Sequence, residues 1–343
     1  MDISILGLPQ SGKSTFLKSL IKFNDSQELP EICTLKINDD RLKEVGKLLG
    51  HNKLSYPEIS FKEVNILSIK NNKTTELKEI ESIQNSYGLL LVIRCFENNH
   101  SNQILSDIDE IITELIFSDT VIIENIIERR KNNTKGKTKQ ELENINAEIQ
   151  LLETLKLHLE QGQPLNSYTL PKTELKKLVG YNLITLKPIF VLLNYDQDRS
   201  IIESNGDITK IKNKYCYPAK LEMELSELSE NESEEFRQSL NIEPRQDYKV
   251  LKSLFKAMGK IIFITAGEQE IKGWEINKGD NSLIAASKIH SDISKGFIRA
   301  EVIEYNTFIE LGSWNNCKKE GKVKGNGKEY IVNDGDIINF LHS

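Results

Sequence analysis

Apolar and polar positions alternate in short blocks over the first hundred residues. The runs at residues 3–6, 58–64 and 89–94 are too short for helices, and helical spacing separates them. A fourth run, Pro188-Ile189-Phe190-Val191-Leu192-Leu193-Asn194, comes much later. Short apolar strands linked by helices predict an α/β fold with a doubly wound parallel sheet and a ligand site at the carboxyl ends of its strands. A different texture fills the interval. Ile108, Ile112, Leu115, Ile122 and Ile126 keep helical spacing, and Leu142, Ile145, Ile149, Leu152 and Leu159 follow a heptad. A polar, glycine-bearing link at residues 132–138 joins them, so the spacing predicts an inserted antiparallel coiled-coil hairpin reaching about 35 Å. Residues 222–235, rich in Glu and Ser, read as a solvated helix or loop. From residue 262 shorter strand-like segments alternate with turns, among them Asn333-Asp334-Gly335-Asp336, and predict a small α+β domain. The expected organisation is a discontinuous sheet domain over 1–106 and 181–261, the hairpin over 107–180, and a C-terminal domain over 262–343.

Composition narrows the picture. A chain of 343 residues has room for two or three domains, and 38% hydrophobic with 28% charged residues suits a globular protein. The net charge of −6 disfavours wholesale electrostatic binding to nucleic acid, although local patches can still act. One patch is the hairpin tip, where Arg129, Arg130, Lys131, Lys135, Lys137 and Lys139 have no acid among them. It reads equally as a solvated loop or as an RNA-phosphate contact. Residues 262–343 hold ten Lys/Arg against twelve Asp/Glu, which argues against a generic polyanion binder there. Cys33, Cys95, Cys216 and Cys317 form no C-x-x-C pair and read as reduced thiols. The chain opens on a strand pattern, and its apolar runs are too short to span a bilayer, so a cytoplasmic location without a membrane partner is expected.

The candidate chemistry begins where the first strand ends. Gly7-Leu8-Pro9-Gln10-Ser11-Gly12-Lys13-Ser14 matches the phosphate loop G-x-x-x-x-G-K-[ST]. Gly7 and Gly12 allow the backbone to curl with its N–H groups inward, Lys13 can reach the outer phosphates, and the Ser14 hydroxyl can ligate a phosphate-bound Mg²⁺. Thr15 opens a helix whose positive end faces the phosphates. The competing reading is a glycine-bearing turn before a helix. Together these residues define a P-loop NTPase (G-like) domain with candidate nucleotide contacts at Gly7, Gln10, Ser11, Gly12, Lys13, Ser14 and Thr15. At the end of the fourth strand, Asn194-Tyr195-Asp196-Gln197 stands where guanine-reading proteins place N-K-x-D. Asn194 and Gln197 are the candidate base contacts. Gln197 offers one donor and one acceptor, which suits adenine better than guanine's paired donors; the alternative is an exposed loop amide.

Several strings resemble the Obg-like ATPase (YchF) family of translation-factor-class P-loop NTPases. They are residues 7–14, Arg94-Cys95-Phe96-Glu97, Thr113-Glu114-Leu115-Ile116, Leu186-Lys187-Pro188-Ile189, and Ala219-Lys220-Leu221-Glu222-Met223-Glu224-Leu225-Ser226-Glu227-Leu228. The densest lie near the C-terminus: Phe263-Ile264-Thr265-Ala266-Gly267, Ile289-His290-Ser291-Asp292, residues 295–302, residues 308–313 and Asp334-Gly335-Asp336. The resemblance spans essentially the whole chain. It implies a G-domain, a coiled-coil insertion, a C-terminal TGS domain of β-grasp type, association with ribosomes or RNA, and use of ATP, possibly GTP, with Mg²⁺. It departs where the family carries D-x-x-G, matched here by Glu63-Val64-Asn65-Ile66. Glu63, one methylene longer than Asp, becomes the second metal candidate beside Ser14. The glycine-rich switch is replaced by the polar residues 68–81, and Thr34 is the nearest counterpart of the Mg²⁺-ligating switch Thr. Gln10 stands for a family Asn, Leu67 matches the family's hydrophobic residue at the usual catalytic Gln, and His100 lies out of register with the expected catalytic His. The resemblance therefore implies an NTPase with weak or lost hydrolysis; the alternative is a non-hydrolysing ribosome- or RNA-binding scaffold with a vestigial nucleotide site.

Overall fold

The structure is a computed structural model that describes residues 1–21, 29–65, 74–96, 101–196, 200–239, 246–267 and 270–343. Gln197, Leu67 and His100 lie outside the described residues. Two compact units emerge: Met1–Cys33 with Ser60–Asp247, and Thr34–Ile59 with Tyr248–Ser343. Among the described residues, no helix is long and apolar enough to cross a membrane.

The sheet of the first unit has the order β2-β4-β1-β5-β6-β7, with β1 at Asp2–Leu6, β2 at Ile32–Lys36, β4 at Glu58–Glu63, β5 at Gly88–Arg94, β6 at Ile189–Asn194 and β7 at Lys214–Tyr217. The pairs β1/β4, β1/β5, β5/β6 and β6/β7 are all parallel. From β1 the strand order turns one way to β4 and the other way to β5, so the switch point lies at the carboxyl end of β1. The five leucine, valine and isoleucine side chains of residues 89–93 are all buried, which explains the unbroken apolar run of β5.

The insertion is a pair of helices, Ser101–Asn132 and Lys139–Glu160, about 48 Å and 33 Å long. Its seam buries Ile116, Ile123, Ile127, Ile145, Ile149, Leu152, Leu155 and Leu159. On the first arm the buried apolar positions are Ile104, Ile111, Leu115, Ile116, Ile123 and Ile127; Leu115 is in the expected stripe and the others lie beside it, while Ile108, Ile112, Ile122 and Ile126 are half-buried. The arm presents a two-residue-wide apolar face, of which a single-file spacing catches only one edge. Thr138 and Glu141 form a reciprocal capping box that starts the second arm.

In the second unit, β8 (Lys260–Ala266) and β9 (Ile271–Asn277) form an antiparallel hairpin, helix Ser282–Ile289 follows, and β10 (Phe297–Ile303) pairs antiparallel with β12 (Ile337–His342). Strand β12 runs parallel beside β8, which closes a β-grasp arrangement. Residues 37–57 and 248–261, expected from the sequence in the first sheet domain, pack with this unit instead. The short strand β3 (Leu54–Ser55) extends the sheet along β9, and helix Asp40–Leu49 buries Leu42 and Val45. Gly273 makes room for that helix: a Cβ there would meet Leu42 Cδ2 at 3.1 Å and Pro57 Cδ at 3.2 Å. The Asp334-Gly335-Asp336 string proves to be a clamp. Asp334 accepts from the Ile262 N–H at 2.9 Å and pairs with Arg41 at 2.9 Å, while Asp336 accepts from the Asn333 N–H and the Tyr330 hydroxyl.

Candidate functional site

The loop between β1 and helix Lys13–Leu20 sits at the switch point. Gly12 caps the helix with φ 92°, and a Cβ there would fall 2.2 Å from the Asn194 Nδ2. Both facts demand glycine. A Cβ at Gly7 would strike the Val92 carbonyl at 2.5 Å. Gln10 holds φ 61°, a left-handed conformation that is costly for a non-glycine residue. The helix is fixed from below by aromatic packing: Phe16 meets Tyr217 at 5.3 Å and Phe61 at 6.2 Å, both edge-on, and Ser19 hydrogen-bonds the Tyr217 hydroxyl at 2.9 Å. Ser11 is buried, and its hydroxyl has no hydrogen-bond partner among the described residues.

Lys13 folds back over the loop, donating to the carbonyls of Gly7 at 3.0 Å and Leu8 at 3.3 Å. Burial lowers its pKa, and the Glu63 carboxylate, 3.8 Å away, opposes that shift. The parallel register of β1 and β4 sets Glu63 beside Ile5, at the same strand edge as the loop. From there its Oε2 accepts the Ser14 hydroxyl at 2.9 Å. The carboxylate thus reaches Ser14, and the two metal candidates come together. Among the described residues, no three His, Cys, Asp or Glu side chains form a metal cluster.

Asn194, nearly fully buried, joins two loops. Its Nδ2 donates to the Ser11 carbonyl at 2.9 Å, and its Oδ1 accepts from the Ala219 N–H at 3.1 Å. The loop, Glu63 and Asn194 border one cavity of about 510 Å³, lined by Gln10, Gly12, Lys13, Ser14 and Thr15 and, at the far end, by Phe96, Tyr195, Asp196, Lys220 and Met223. The Arg94 guanidinium lies 5.0 Å from the Phe96 ring centre. Sequence reasoning did not assign Phe96, Lys220 or Met223 to the site, although all three fall in strings that carry the family resemblance. Lys220 and Met223 ride on helix Ala219–Ser226, which is anchored by a buried bidentate pair of Glu222 with Arg237 at 2.7 and 3.1 Å. Glu222 was expected in a solvated segment; the structure buries it because Arg237, fifteen positions on, neutralises it.

The hairpin tip is less uniformly cationic than its sequence. Arg130 pairs with Glu148 at 3.1 Å within a group that includes the Tyr181 hydroxyl, and Lys131 pairs with Glu153 at 3.0 Å. Both acids come from the returning arm. Arg129, Lys135, Lys137 and Lys139 make no ion pair among the described residues.

A parallel sheet with a phosphate-loop motif at its switch point, a long helical insertion and a β-grasp unit define a P-loop NTPase fold with a C-terminal domain. Comparison with known proteins agrees. The family model YchF-GTPase_C, described as a protein of unknown function (DUF933), matches residues 261–343. The Ribosome-binding ATPase YchF of Buchnera aphidicola subsp. Acyrthosiphon pisum is 32% identical, covering 98% of each chain. That of Bacillus subtilis is 29% identical over 99% of this chain and 98% of its own length. The solved structure of the Schizosaccharomyces pombe YchF GTPase superposes with a TM-score of 0.81 at 23% identity, covering 99% of this chain and 97% of that one. The chain belongs to the YchF family.

Proposed function

We propose that this protein is an ATP-binding, ribosome-associated P-loop protein that also accepts GTP. The observation that carries the nucleotide reading is the cavity at the strand ends, bordered by a loop whose glycines admit no side chain and by Lys13. The buried Ser11 hydroxyl, unpartnered among the described residues, fits a site shaped for a polar ligand. In this reading Gly7, Gln10, Ser11, Gly12, Lys13, Ser14 and Thr15 hold the phosphates. Asn194 braces the loop, and Gln197, with Asp196 and Lys220, meets the base. Because the Ala219 N–H is donated to Asn194, it is not free for a guanine O6 in this arrangement, which favours adenine. Ser14 and Glu63 are hard oxygen donors 2.9 Å apart and suit Mg²⁺, which takes one or two protein oxygens besides phosphate and water. Bound Mg²⁺ would neutralise phosphate charge. Hydrolysis is slow in this reading, since Glu63-Val64-Asn65-Ile66 lacks the switch glycine.

The ribosome is the proposed partner because it is named for relatives that align over the full length. In this reading the contact is made by the tip of the hairpin, within residues 107–180, and by residues 262–343, read as a TGS domain. Co-sedimentation with ribosomes tests this. Reversing Arg129, Lys135, Lys137 and Lys139 to Glu should abolish pelleting while ATP affinity stays unchanged. Wild-type pelleting and salt dependence in the variant would leave the tip a solvated loop. An ATP-independent, nucleotide-blind wild type would favour the scaffold alternative.

A further inference from the structure

The cations of the second unit are segregated. Residues 262–343 are balanced as a whole, but residues 318–328 hold five lysines, Lys318, Lys319, Lys322, Lys324 and Lys328, against the single acid Glu320. The fold puts this stretch on one rim. Helix Trp314–Lys319 leads through Gly321 into β11 (Lys324–Asn326), which pairs with β10 on one side and ends the sheet on the other. Gly325 lies opposite Glu301, and a Cβ there would sit 3.7 Å from Arg299 Cδ. Glu301 is nearly buried and ties Arg299 at 3.1 Å and Lys318 at 3.5 Å to the same face. One carboxylate thus anchors two cations and leaves a net positive base. Around it Lys319, Lys322 and Lys328 are exposed and make no ion pair among the described residues. Around Gly321 and Gly327 the space is open.

We propose that residues 318–328, with Arg299, form a contact surface for the phosphate backbone of RNA. The proposal rests on the ribosome-associated reading above and gives it a specific surface. Exposed lysines beside bare glycines on a free strand edge suit a polyanion that carries no sequence message. The stretch has one apolar residue, Val323, and no aromatic, so it lacks the buried anchors on which a protein partner depends.

The test uses the full chain and a fluorescein-labelled mixed-sequence 20-nucleotide RNA, with anisotropy read over a range of KCl. Lys319→Glu, Lys322→Glu and Lys328→Glu are combined; none of the three is tied to Glu301, so the anchored base is left intact. The triple variant should bind at least tenfold more weakly, with the slope of log K against log salt reduced by about 2, roughly 0.7 for each single-strand phosphate that is no longer neutralised. Replacement of the same three lysines by Arg should restore binding, which a folding defect at these positions would not predict. Wild-type affinity and slope in the Glu variant would overturn the proposal, as would equally tight binding of polyglutamate to the wild-type protein. Ribosome co-sedimentation of the wild type, run in parallel, separates the two readings. If the protein pellets with ribosomes but RNA binding ignores the three lysines, the surface is wrong and the association stands. If the wild type does neither, both fall.

Discussion

The two ends of the cavity are built on opposite principles. At the phosphate end the shape is set by backbone: Gly12 at φ 92°, a Gly7 pressed against the Val92 carbonyl, and an Asn194 amide that donates to the loop. At the far end the walls are side chains, Phe96, Tyr195, Asp196, Lys220 and Met223, the last two carried on a helix that a remote ion pair holds in place. Backbone-built recognition fails abruptly when one residue changes. Side-chain-built recognition drifts. Phosphate binding should therefore be all-or-none in this chain, and base preference should be adjustable in small steps.

The largest expected effect comes from Gly12→Ala. The new methyl group would collide with Asn194 at 2.2 Å in a backbone region that costs ~1–2 kcal/mol for an L-residue. Nucleotide binding should fall by at least ~100-fold, or ~2.7 kcal/mol, in a calorimetric titration. A loss of less than threefold would mean that the loop is not shaped by its glycines. An effect of similar size, on stability, comes from Arg237→Ala, which strands a buried Glu222 carboxylate and should lower unfolding stability by about 3 kcal/mol in denaturant titration. If the two ends are independent, the folded fraction of this variant should keep its affinity for inorganic triphosphate while discriminating less between ATP and GTP.

Glu63→Gln sharpens the comparison at the phosphate end. The carboxylate opposes the lowering of the Lys13 pKa that burial causes. Without it the ammonium should lose its proton at lower pH, so nucleotide affinity should decline earlier as pH rises than in the wild type. The Mg²⁺ dependence of binding should weaken as well. Identical pH profiles for both proteins would show that Glu63 does not act on Lys13. The smallest effects belong to the base end: Asp196→Ala should change the ATP/GTP affinity ratio by no more than about fivefold, and Gln197→Asp should move it toward GTP, as competition binding would read. A clear preference of the unmodified protein for GTP would refute the adenine argument.

What could be read from the sequence divides along the same line. The phosphate loop was legible because glycine, lysine and serine at fixed spacing state a backbone geometry. Asn194 was legible as the end of an apolar strand, but its work is to join two loops through Ser11 and Ala219, partners 183 and 25 positions away. The hairpin was legible from periodicity, while its tip charges were overcounted because Glu148 and Glu153 return from the other arm. Residues 37–57 were misplaced for a related reason: the amphipathic pattern of Leu42 and Val45 says that one face is buried and does not say against which sheet. Whole-domain charge counting likewise hid the lysines of residues 318–328 behind acids elsewhere in the same unit.

The central claim, that the loop binds nucleotide, is tested most directly by titrating ATP with Mg²⁺ into the full chain and into Lys13→Ala by calorimetry. Lys13 reaches across the loop to the Gly7 and Leu8 carbonyls and borders the cavity, so its loss removes a half-buried cation from the phosphate end. The wild type should bind one ATP, and the variant should bind at least tenfold more weakly, a difference of about 1.4 kcal/mol. Equal affinity in the two proteins, or no binding by the wild type, would contradict the account.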